Sequence, residues 1–151
     1  MEETSVFEKF ELQLDTTAKD FLRETAKWAY FLSIVGYVAI AFLVLIAVFA
    51  GSFFSMMNNT LPGMPPGNNF GVLFGVIYFA MAVIYFFPVY FLNKFASNGK
   101  KAFRDNDSEA LTSSFEYLKS HYKFVGILTV VLLAFYALAL VFVFIASLIA
   151  S

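Results

Sequence analysis

The sequence predicts an all-α integral membrane protein: three transmembrane helices, with amphipathic cytoplasmic helices at the N-terminus and between spans two and three. Three observations predict it. Of 151 residues, 60% are hydrophobic and only 14% are charged, against about 45–50% and about 25% in soluble domains. From Trp28 to Asn93 there is no Asp, Glu, Lys, Arg or His, an interval more than three times the roughly 20 apolar residues one spanning helix needs. All 10 basic residues fall either before residue 28 or between residues 94 and 123. A chain of this length is one membrane domain.

Residues 1–27 form the first element, a cytoplasmic amphipathic segment. They carry seven acidic residues, too many for the basic start of a secretory signal, so the first apolar run is expected to stay in the mature protein. Ala18, Phe21, Leu22 and Ala26 recur at helical spacing, and Thr17 with Asp20 resembles a capping box. Before Asp15, the spacing of Phe7, Phe10, Leu12 and Leu14 fits a strand or a helix.

The first span is expected over residues 28–50. An outer loop follows over 51–69, ending in MMNNTLPGMPPGNN. Pro62, Pro65, Pro66, Gly63 and Gly67 break helices, and the absence of charge suits a segment that must cross a membrane. The second span covers 70–92. In the cytoplasmic loop, 93–123, the stretches SNGKK (97–101) and RDND (104–107) read as a helix stop and a restart, with Asp107 as N-cap. The third span covers 124–150. Basic residues are retained on the cytoplasmic side, so the N-terminus is predicted inside and the C-terminus outside.

Composition also excludes. Without cysteine there are no disulfides, thiolate nucleophiles or cysteine-held metals. The net charge is -1, and no nucleic-acid signature accompanies it. The spans hold no carboxylate or base for a proton relay, and there is no phosphate loop, HExxH or Ser-His-Asp set. Met56, Met57 and Met64 flank the outer loop without a histidine to help them hold copper. The chain is therefore expected to be no enzyme and to carry no cofactor or metal. His121, the one histidine, is expected to rest its polar edge among headgroups.

Four groups of residues stand out. Gly71 and Gly75, with Ala47, Gly51 and Ser55, form small-residue stripes that let helix backbones approach closely; packing within the chain is favoured over a seam between chains. Pro88 cannot donate to the carbonyl of Ile84 and should bend the second span. Lys94, Lys100, Lys101 and Arg104, interleaved with Phe95 and Phe103, form a basic cluster suited to anionic lipid headgroups. Leu111, Phe115, Leu118 and Tyr122 form an apolar stripe for a partner, for the membrane surface or for the N-terminal helix. Residues 1–27 sum to -3 and residues 93–123 to +2, opposite signs compatible with mutual packing, although screened surface pairs contribute little stability.

AKWAYFLSIVGYV (26–38), YFFPVYFLNKFA (85–96) and SSFEYLKSHYKFVGILTVV (113–131), in that order, resemble a domain-of-unknown-function family of small multi-pass membrane proteins, mostly from Bacteroidetes. The resemblance covers nearly the whole chain. It implies a helical protein of the bacterial inner membrane with no assigned activity, and it transfers no functional residue. The expected role is a non-catalytic structural or accessory subunit of a membrane assembly, with other subunits or itself as partner. Two alternatives stand beside it: a homo-oligomeric pore or carrier for an uncharged or weakly polar solute, lined by hydroxyls such as Ser33, Thr129 and Tyr136, and a sensor of anionic lipid.

Overall fold

The computed structural model describes residues 15–60 and 70–150, and every one of its elements is a helix. Helix α1 spans Thr16–Thr60, α2 Phe70–Asp105 and α3 Ser108–Ala150. Each is long and apolar enough to cross a membrane. At 1.5 Å per residue, the 45 residues of α1 extend about 67 Å, roughly twice a hydrocarbon core. Charged residues occupy one end of every helix, and these ends lie together. The segment before Asp15 and the proline-rich stretch 61–69 lie outside the described residues.

Three boundaries differ from the sequence expectation. Helix α1 begins at Thr16, so the expected capping pair, Thr17 and Asp20, lies inside the helix rather than at its cap. Asp15 takes the cap position: its carboxylate accepts the Thr16 N–H at 2.7 Å and its carbonyl the Lys19 N–H at 3.0 Å. Helix α1 then runs on to Thr60, so residues 51–60 of the expected outer loop are helical.

The third difference is the largest. SNGKK does not stop α2, which continues to Asp105. Glycine normally weakens a helix by about 1 kcal/mol, but Gly99 lies where all three helices converge. A Cβ there would come within 3.2 Å of Ala26 Cβ and 3.5 Å of Ser114 Oγ, so the missing side chain is what lets the helices meet. The break comes instead at Asn106, whose φ of 52° places it in the left-handed region that asparagine tolerates. The Asp107 N–H donates back to the Ala102 carbonyl at 3.1 Å, closing a Schellman-type C-cap. Asp107 is also the N-cap of α3, its Oδ1 accepting the Glu109 and Ala110 N–H groups at 3.0 Å each. The expected 31-residue loop is thus a helical hairpin with a two-residue turn.

Helix α2 lies between the other two, and α1 and α3 make no close backbone approach to each other. The α1–α2 pair is antiparallel along its described length. Its seam on α1 uses Ala26, Ala29, Ser33, Gly36, Ile40, Ala47, Ala50 and Phe54, all buried or half-buried, at the three-and-four spacing of coiled-coil packing. The small apolar core lies toward the charged end, where Ala29, Phe95 and Ala96 meet Leu92, Tyr117 and Leu118.

Candidate functional site

The glycines of the expected packing stripe lie on the α1–α2 seam. A Cβ on Gly75 would sit 2.9 Å from the Ala47 carbonyl oxygen, and one on Gly71 would sit 3.0 Å from Gly51 Cα and O. Neither neighbour is a side chain that could turn aside, so only glycine permits this approach. Beyond them Phe54 and Phe74 stack with centroids 4.9 Å apart. Ser55 belongs to α1, but its side chain lies outside the described ones.

Polar contacts join the helices nearer the charged end. Ser33 is fully buried; its hydroxyl donates to the Tyr30 carbonyl at 2.7 Å and accepts from Asn93 Nδ2 at 2.9 Å. Lys100 Nζ stands 3.5 Å from the Tyr30 ring centroid, a cation–π contact between α2 and α1. His121 Nδ1 lies 2.8 Å from the Pro88 carbonyl oxygen, and that nitrogen must carry the proton to donate. Expected among headgroups, the His121 ring instead tethers α3 to α2. Pro88 itself is buried within an uninterrupted α2. No local pattern signals this pairing, because the two residues stand 33 positions apart.

The basic cluster is largely engaged within the chain. Besides Lys100 on Tyr30, Lys101 Nζ is 3.5 Å from Asp107 Oδ2 and Arg104 bonds Asp105 at 2.8 and 3.0 Å. Lys94 lies 5.7 Å from the Tyr90 ring centroid. The Arg104 guanidinium holds the Asp105 carboxyl below the usual carboxylate range. The Ala110 N–H, with the Lys101 ammonium and the Glu109 N–H assisting, does the same for Asp107.

The stripe assigned to a partner is divided. On α3 the face turned to α2 carries Ala110, Ser114, Tyr117 and His121, buried or half-buried. Leu111 is half-buried and Leu118 joins the core, whereas Phe115 and Tyr122 are exposed, at 41% and 68%. The hydroxyls considered for a pore do not converge: Ser33 is sealed in the α1–α2 seam, while Thr129 donates to its own helix at Val125 O and Tyr136 is exposed on α3. Among the described residues, no three of His, Cys, Asp or Glu cluster as metal ligands would.

The feature that composition and spacing do not signal is the exposed outer half of α3. Phe124, 5.7 Å from Phe87 between centroids, is its last ring contact with α2, and Leu128 is its last half-buried residue. Every side chain from 129 to 149 is exposed, and a Cβ on Gly126 would meet nothing within 4 Å. Hydrophobicity cannot reveal this, because the run is as apolar as the two that pack. No family model matches the chain, and neither does any curated protein or solved structure. What the chain does must be read from its own residues.

Proposed function

We propose that the chain is a multi-pass protein of the bacterial inner membrane, N-terminus inside and C-terminus outside, acting as a non-catalytic subunit of a membrane assembly. The observation that carries this is the exposed outer half of α3, held out from a hairpin that is itself well packed. A helix anchored at one end by Ser114 and His121, presenting an apolar span over its remaining length, is arranged to add a span to something else. In lipid, hydrophobicity does not drive helices together; close fit and hydrogen bonds do. The α1–α2 seam uses both, so the hairpin serves as the scaffold and α3 as the projecting part.

Orientation follows from the basic residues, all of which precede residue 28 or lie between 94 and 123. Thr60→Cys and Asn98→Cys are expected to react with an impermeant thiol reagent from opposite sides of the membrane. Labelling of both from one side would end the three-span topology. The assembly itself is tested by native mass spectrometry of the protein extracted from its own membranes in mild detergent. A complex of fixed stoichiometry is expected, and a bare monomer at every mild condition would refute the role.

A further inference from the structure

We infer that the surface which receives the outer half of α3 is the α2 of a second copy of this chain, so that two copies exchange their third spans. This rests on the assembly role proposed above and names its partner. The inference starts from an interface already present. Toward the charged end, α3 docks on the α2 face that carries Phe87, Pro88 and Phe95. The same face continues toward the start of α2, at helical spacing, as Ile84, Ala80, Ile77 and Leu73. It points away from Gly71, Gly75 and Val89, which meet α1. All four residues are exposed. On α3 the docked face continues past His121 and Leu128 as Leu132, Phe135 and Ala139, also exposed. One packed interface therefore extends into two bare faces that continue it, and the helices bearing them stand apart.

The occupant that fits the vacant α2 face is an α3, since the same two faces pack where they meet. The chain's own α3 would have to bend between Phe124 and 129 to return, yet it is one unbroken helix from Ser108 to Ala150 with no proline, and its charged half is tethered by His121. A second copy supplies the same face with the helix left straight. Two copies inserted the same way share one membrane plane, so depth keeps the register: going from Phe87 back to Ala80 along α2 and from Phe124 on to Leu132 along α3 covers about two helical turns each and brings Ala80 about level with Leu132. Exchange about a two-fold axis closes on itself and leaves no further α3 site open.

The native chain has no cysteine, which makes the test direct. One copy carries Ala80→Cys and a differently tagged copy carries Leu132→Cys; both are expressed together and oxidised in their own membranes. A disulfide joining the two tags is expected, several-fold stronger than with Val130→Cys on the far side of α3. Equal yields at Val130 would mark chance collision and overturn the exchange. The double variant Ala80→Cys/Leu132→Cys in one chain adds a second readout. An intrachain bond there, with none between copies, would show α3 closing on its own hairpin. No bond in either format would leave both faces to lipid. If cross-linking fails while native mass spectrometry retains a different subunit, the exchange is lost and the assembly role stands; if only monomer remains, both are lost.

Discussion

The α1–α2 seam and the outer half of α3 are built from nearly the same apolar alphabet and behave in opposite ways. Along the seam, Ala47, Gly51, Gly71 and Gly75 bring two backbones into contact, and a buried Ser33 hydroxyl takes a hydrogen bond from the opposite helix. Along α3 beyond Leu128, leucine, valine and phenylalanine project on every side and none is buried. Where lipid is as apolar as leucine, hydrophobicity alone does not bring large side chains together; only a close fit does. What separates the regions is how closely two backbones can come, which Gly75 and Ser33 decide and Phe142 does not.

The sharpest way to break that comparison is Gly75→Leu. The new Cβ would start 2.9 Å from the Ala47 carbonyl oxygen, and backbone must move to admit it. Overpacking costs about 1–3 kcal/mol, and this site belongs at the upper end because no flexible atom can yield. The expected result is separation of α1 and α2 at this end, read as a longer spin-label distance between Val48 and Val72 and earlier unfolding in a denaturing-detergent titration. An unchanged distance would mean that the seam is not what holds the hairpin.

Asn93→Leu acts on the same seam more gently. It removes the donor to Ser33 while leaving the serine bonded to the Tyr30 carbonyl, so no buried hydroxyl is orphaned. Interhelical hydrogen bonds in membranes contribute about 0.6 kcal/mol on average, and a loss near that size is expected in the same titration. Ser33→Ala should lose a similar amount, and the double variant should lose little more than either single one. Full additivity would show that the pair is not coupled.

The number of helices and their approximate places were legible because three runs of apolar residues each exceed a bilayer's thickness. The α1–α2 seam was partly legible, since glycine and alanine at four-residue spacing have few other uses in such a run. The docking face of α3 was not. Leu111, Phe115, Leu118 and Tyr122 form the more hydrophobic stripe, but only Leu118 of these joins the core, and the face on α2 is completed by Ala110, Ser114, Tyr117 and His121. Small and polar side chains, Ala110, Ser114 and His121, hold places on that face which hydrophobicity alone would give to Phe115 and Tyr122. Gly99 misled in the same way: it reads locally as a helix stop, yet Ala26 and Ser114, both far off in sequence, make it a crossing point. The outer half of α3 was illegible because nothing in its composition distinguishes a packed span from an exposed one.

Gly126→Ala sharpens the contrast between the regions. Gly126 is in a helix interior with nothing near its Cβ position, so alanine there meets no obstacle and gains helix propensity, about 0.5–1 kcal/mol. The expected outcome is unchanged or slightly greater stability in the titration that Gly75→Leu fails. A clear loss at Gly126 would reveal a neighbour absent from a single copy, and would place a contact on this side of α3.

The smallest expected effect lies at the opposite end from the bare span, in the turn between α2 and α3. Asp107 accepts the Glu109 and Ala110 N–H groups and faces Lys101 at 3.5 Å, and its carboxyl is held below the usual range, first by the Ala110 N–H. The folded turn therefore favours the ionised carboxylate. That preference stabilises the fold fully above the ordinary carboxylate pKa of about 4 and is lost as pH falls through the lowered folded value. Hydrogen exchange at Ala110 and Glu109 should show constant protection from neutral pH to about 5 and weakening protection below that window. Asp105 is lowered too, by Arg104, so Asp107→Asn is the variant that assigns the effect. Asparagine caps helices as well as aspartate does but cannot ionise: protection at neutral pH should be nearly retained and the acid loss abolished. If the acid loss persists in that variant, Asp105 is its source and the double cap at Asp107 does not depend on charge.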